Sequence, residues 1–263
     1  MAQGKFHLAT IKPRVEVLGN TVYTADDILF DWHAFEVPKG GFCIKTLTAV
    51  VAGLDKVATA GVDVELFFAK SLNGVAPTSL GAANGATSLI ACNANRNHII
   101  GRQYLDASAL EDGDRLVGYN VWAGGGGGAT GLGTAKLNDI NLVMEGDPNY
   151  AGTTSGYQTI WIAAFTIGTP NHGTTVLLNQ AGNQAISTTS VALVTDGGDA
   201  DDVFGIGDEI MAYAANGSSP SIVGTVTAVA ANLLTVDKVE EAFTDDDELC
   251  FRAPYIFHLG LEY

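Results

Sequence analysis

Val62-Asp63-Val64-Glu65-Leu66-Phe67-Phe68 sets Val62, Val64, Leu66 and Phe68 on one side of an extended chain and Asp63 and Glu65 on the other. That period of two is the signature of a strand with one face in a core. The alternation recurs in both directions from this stretch. Ile28, Phe30, Trp32 and Ala34 oppose Asp31 and His33, and Ile140, Leu142 and Met144 alternate with Asp139 and Asn141. Near the end, Tyr255, Phe257, Leu259, Leu261 and Tyr263 alternate with His258, Gly260 and Glu262. Turn formers such as Pro38-Lys39-Gly40-Gly41, Asn73-Gly74 and Asn84-Gly85 separate the strands. Helical segments are expected only at 88–95 and 106–110. The pattern predicts an all-β chain.

The 263 residues are 47% apolar and 16% charged, with 32 glycines, which excludes a disordered acidic chain and suits one large or two modest domains. Lys and Arg number 13 against 29 Asp and Glu, a net charge of −16. Neither a nucleic-acid backbone nor an anionic membrane is an expected partner, because both demand clustered cations. Residues 1–6 lack the apolar region of a signal peptide. The strongest apolar stretches, such as 47–54, fall short of the roughly 20 residues that cross a bilayer. The expectation is a soluble protein made in a cytoplasm. Cys43, Cys92 and Cys250 are scattered and read as reduced, buried thiols.

Charge divides the chain. Residues 172–253 hold 13 acidic and 2 basic side chains, net −11. Short strands are expected there at 190–194, 209–213, 222–229 and 233–236, the spacing of a small β-barrel. An apolar strand at 156–167 ends at Gly168-Thr169-Pro170, and the final strand follows Ala253-Pro254. The expected architecture is therefore a jelly-roll-like β-sandwich over 1–170, an inserted acidic small β-barrel domain over 171–253, and a C-terminal strand at 254–263 returning to the sandwich. Strand 157–167 is expected to pair with that returning strand, since insertions succeed where chain ends lie close. Turn formers precede strands at Glu111-Asp112-Gly113-Asp114, Gly205-Ile206-Gly207-Asp208 and Asp245-Asp246-Asp247, where an Asp caps the turn through its own side chain.

No catalytic constellation is legible, and the chain is not expected to be an enzyme or to hold a cofactor. Gly126, Gly128 and Gly131 formally satisfy G-x-G-x-x-G, but they lie in a run of glycines, and residues 135–144 alternate like a strand where a nucleotide site needs a helix. Asp196, Asp199, Asp201 and Asp202 are the candidate oxygen ligands for Ca²⁺, together with 245–248. They depart from an EF-hand, with Val203 in a ligand position, and a solvated acidic rim is the simpler reading. His7, His33, His98, His172 and His258 show no metal-ligand or catalytic spacing. Trp32, Trp122 and Trp161 lie inside strand patterns and suit core packing better than a sugar platform. Asn216-Gly217-Ser218 is a glycosylation sequon in form alone.

Three features together resemble structural proteins of tailed bacteriophage particles, especially those of marine and cyanobacterial phages. One is the Gly/Ala/Thr/Asn-rich all-β composition. The second is the run Gly207-Asp208-Glu209-Ile210, Ile222-Val223-Gly224-Thr225-Val226-Thr227-Ala228-Val229 and Leu234-Thr235-Val236-Asp237, similar to small barrels in many such proteins. The third is the jelly-roll-like run 99–122, where Leu110-Glu111-Asp112-Gly113-Asp114-Arg115-Leu116 leads into a strand. The resemblance implies a head decoration, or cement, protein located in the virion and assembled in the host cytoplasm. Its implied partners are its own copies in a homotrimer and the major capsid protein or other virion proteins. The alternatives are a phage tail, baseplate or receptor-attachment protein and a carbohydrate-binding β-sandwich module. No functional residue is transferred by the resemblance.

Overall fold

The computed structural model describes residues 5–15, 23–52, 62–86, 89–105, 111–113, 116–122, 142–170, 172, 176–179, 182–196, 200–214 and 220–263. Among them the chain opens with β1 (Phe6–Ile11), β2 (Ile28–Pro38), β3 (Phe42–Ala52) and β4 (Val64–Ala69), followed by the short helix α1 (Leu89–Asn95). Next come β5 (Ile99–Leu105), β6 (Glu111–Gly113), β7 (Leu116–Trp122), β8 (Leu142–Met144) and β9 (Tyr157–Thr166). The remainder is β10 (Leu177–Leu178), β11 (Val191–Asp196), α2 (Ala200–Val203), β12 (Glu209–Tyr213), β13 (Ser221–Ala230), β14 (Leu233–Val236), β15 (Glu248–Phe251) and β16 (Tyr255–Glu262). Among the described residues strand makes up 54% and helix 5%, so the chain is all-β, built of antiparallel sheets. The second expected helix, at 106–110, lies outside the described residues, as do Ile140 and the glycine run.

One sheet runs β1-β16-β3-β7-β6, with β8 also on β3, and a second runs β2-β9-β4-β5. Their inner faces share one core, in which Leu47, Ala49 and Val51 of β3 and Phe257 and Leu259 of β16 meet Leu66 and Phe68 of β4 and Ile160 and Ile162 of β9. The decisive alternation at 62–68 holds: Val64, Leu66 and Phe68 are fully buried, while Glu65 and Phe67 are half-buried on the other face. Burying a Phe or Leu side chain of this kind stabilises by about 1.5–3 kcal/mol, and the whole row contributes together.

Strand β2 departs from its simple alternation. Its pairing with β9 shifts register between Ile28 and Phe30 and again between Phe30 and His33. The shifts turn Leu29 and Phe30 into the main core. Ile28 and Trp32 pack instead with Leu80, Ala163 and Phe165 on the outer side of the second sheet. Each bulge adds a residue and inverts the face that follows.

The strand pairing expected between 157–167 and the C-terminus is not formed. β9 lies between β2 and β4, whereas β16 lies between β1 and β3. The chain thus crosses from one sheet to the other through residues 172–253. Strands facing one core from opposite sides carry the same alternation as neighbours in one sheet, so periodicity cannot separate the two cases.

Strands β10-β11-β14-β13-β12-β15 close into a barrel. It has a separate core of Leu193, Ile210, Val223, Val226, Leu234, Val236 and Leu249. Closure removes exposed sheet edges. Gly224, at φ +148, allows β13 to approach the turn after β14, because a Cβ there would stand 2.5 Å from the Lys238 carbonyl oxygen.

Candidate functional site

The segment after β1 holds the barrel against the first sheet. Lys12 Nζ donates to the Gly207 carbonyl at 3.3 Å, and the Val15 amide donates to the Arg252 carbonyl at 2.8 Å. Arg14 Nε meets Glu209 Oε2 at 3.1 Å, with Arg252 on the same carboxylate at 3.9 Å. His33 of β2 is near this junction. Burial and then Arg14 lower its pKa, while Glu209 acts in the opposite direction.

Beside the junction is a cleft of about 270 Å³. Its floor is apolar, formed by Val50 and Ala52 at the end of β3, Ile256 at the start of β16, and Phe251. Asp201, Asp202 and Asp208 form its acidic side. Asp208 accepts the Gly205 amide at 2.7 Å, the turn cap expected from its sequence. Burial raises its pKa, against the opposing effect of the Gly205 amide and Lys12. The cleft joins an apolar surface to carboxylates and offers no nucleophile with an adjacent base.

The candidate Ca²⁺ ligands do not assemble into a site among the described residues, where no three His, Cys, Asp or Glu side chains converge. Asp196 ends β11 and accepts Asn179 Nδ2 at 3.3 Å. Asp201 and Asp202 occupy the first turn of α2, and Asp199 lies outside the described residues. Asp247 is buried and committed to its own turn, accepting the Thr244 amide at 2.8 Å and the Thr244 hydroxyl at 2.7 Å. Asp27 accepts the Thr24 amide and hydroxyl in the same way. A Thr-x-x-Asp spacing read from the sequence would have found both caps.

Elsewhere, Asp147 is clamped by Ser71 Oγ at 3.0 Å, the Gly74 amide at 2.8 Å and the Asn149 amide at 2.9 Å. Burial alone would raise its pKa, but the three donors hold it below the ordinary value. Thr10 Oγ1 and His258 Nδ1 are 3.0 Å apart on the outer face of the first sheet. Trp161 is buried under Tyr150, ring centroids 4.7 Å apart. Trp32 is half-buried and donates its indole N–H to the Thr78 carbonyl. Of the cysteines only Cys250 is buried; Cys43 is half-buried and Cys92 exposed, which corrects the expectation of three buried thiols. Cys92 is on the exposed side of the short helix α1, beside buried Ala91. The sequon at 216–218 lies outside the described residues.

The buried group that the sequence did not single out is His172. It lies where the chain enters the barrel region, 6.0 Å from Tyr23 and 5.1 Å from Tyr255 between ring centroids, edge-on to both. Neither ring nitrogen has a partner among the described residues, and burial lowers its pKa to about 4.

No protein-family model matches the chain, and comparison with curated proteins finds no relative.

Proposed function

We propose that this chain is a structural protein of a bacteriophage particle, assembling as a homotrimer and decorating or cementing the outer surface of the capsid, without catalysis. One observation carries the reading. The residues that resemble virion barrels, 207–210, 222–229 and 234–237, lie in or beside β12, β13 and β14 of a closed barrel with its own apolar core. We read the two packed sheets as a jelly-roll-like sandwich over 1–170 and 254–263, with the barrel as a domain inserted at 171–253. In this reading the sandwich makes the contacts to copies and shell. The barrel points outward, since a domain of net −11 packed against its own copies is repelled.

Cryo-electron microscopy of the purified particle is the test. The expected result is one sandwich density on the outer shell per subunit, with a barrel density above it. Density at the tail alone moves the assignment to a tail or baseplate protein, and absence of the chain from the particle refutes the reading. One feature favours a second reading, a carbohydrate-binding module. The outer face of the second sheet presents half-buried Trp32, Phe67 and Phe165, with the Arg102 guanidinium 5.9 Å from the Phe67 ring centroid. A glycan array without binding eliminates it.

A further inference from the structure

Among the described residues, the outer face of the first sheet exposes three apolar side chains on its two flanks. Phe6 is 77% exposed, Leu8 65% and Val143 76%, far beyond what scattered surface apolar residues need. The register brings them together. Phe6 pairs with Glu262, Glu262 with Cys43, and Cys43 with Val143, one continuous row across β1, β16, β3 and β8. Leu8 starts the next row, followed by Gly260 and Thr46. With strands about 4.8 Å apart, the patch is about 14 Å wide. Gly260 has no side chain, and Thr46 Oγ1 takes the space that a Cβ there would need.

Two further observations indicate what covers it. Among the described residues no strand pairs the outer edge of β1. Within Phe-His-Leu-Ala-Thr-Ile there is none of the Lys, Glu or Pro that keep edges apart; these stand at its two ends, as Lys5 and Lys12-Pro13. The charges at outward positions of β1, β16, β3 and β8 are Lys45 and Glu262, paired to each other at 3.3 Å. In a chain of net −16 this is a face where a copy approaches without net repulsion. An adjacent pair of opposite charges also suits a contact between copies, because a cyclic arrangement can set Lys45 of one protomer toward Glu262 of the partner subunit.

We infer that this face, centred on Phe6, Leu8 and Val143, is the surface on which a second copy of the chain docks. The inference rests on the oligomeric part of the function proposed above and names the surface responsible. The barrel is left free of the contact.

Light scattering after size exclusion on the full-length protein, across a concentration series, is the experiment. Wild type is expected at a multiple of 27.3 kDa. Phe6→Asp with Leu8→Asp, and separately Val143→Asp, are expected to weaken association by on the order of 100-fold, as loss of central apolar anchors does. Both are then monomers where wild type is assembled. Ile206→Asp alters an exposed apolar residue of the barrel region (76% exposed) and is expected to leave the mass unchanged. Thermal melting checks that each variant is folded, and Val143→Asp, on a separate strand, carries the test if the β1 variant is not. An assembled wild type whose face variants remain assembled overturns the docking surface while leaving the oligomeric reading intact. A monomeric wild type throughout overturns both.

Discussion

Acidification is expected to destabilise the fold through His172 before the carboxylates titrate. In the folded chain burial holds this imidazole neutral, with a pKa of about 4 against the ordinary 6.5. In the unfolded chain it takes up a proton below pH 6.5. The unfolded state therefore binds more protons as pH falls, and the stability due to the neutral ring is lost downward from 6.5, most of it by about pH 4. At 1.36 kcal/mol per pH unit, the loss is about 2 kcal/mol between pH 6.5 and 5 and about 3 kcal/mol by pH 4. No protonated form finds relief locally, because the ring lies edge-on to Tyr23 and Tyr255 and both nitrogens lack an acceptor among the described residues. Urea denaturation from pH 7.5 to 4.5 on wild type and His172→Phe reads this directly. Phe retains the aromatic packing and removes the titration. His33, lowered in the same direction, contributes equally to both proteins and cancels in their difference. The difference in unfolding free energy between wild type and variant should fall by about 2 kcal/mol from pH 6.5 to 5. Parallel curves for the two proteins would refute the reasoning.

Gly224→Ala should cost on the order of 2–3 kcal/mol, since φ is +148 and the new Cβ stands 2.5 Å from the Lys238 carbonyl oxygen and 2.8 Å from Asp237 Oδ1; a melting temperature within a degree or so of wild type counts against the close approach. Asp247→Ala removes the acceptor of two hydrogen bonds from Thr244 and should cost roughly 1–3 kcal/mol by chemical denaturation, with an unchanged midpoint showing that the turn needs no cap. A double-mutant cycle on Arg14→Ala and Glu209→Gln should give a coupling below about 1 kcal/mol, because the Arg14 side chain is 51% exposed; a coupling several times larger would mean that this ion pair anchors the barrel. Addition of Ca²⁺ and then of a chelator should leave the melting temperature unchanged, given that Asp196 is engaged with Asn179 and Asp247 with its own turn. A saturable rise abolished by Asp201→Asn would restore the metal site.

Local order was legible because each signal needs only a few neighbouring residues. Period-two alternation gave the strands at 64–68 and 255–262 their faces, since burial on one side of a pleat selects every second residue. Short strands at close spacing were legible within 172–253, and Asp208 declared its turn cap three residues from Gly205. Only the tertiary structure decided which strands are neighbours: β9 and β16 share a core from opposite sheets, a distinction to which alternation is blind. It also decided that one bulge brings Phe30 into the core and a second reverses the facing after it, because a register shift depends on the partner strand. His172 has no sequence signal at all, for its altered acidity comes from burial, beside the rings of Tyr23 and Tyr255 that are distant in the chain and brought together by folding. The exposed row from Phe6 to Val143 is of the same kind. Each residue alone is an ordinary apolar strand position, and their alignment across four strands exists only once the register is set.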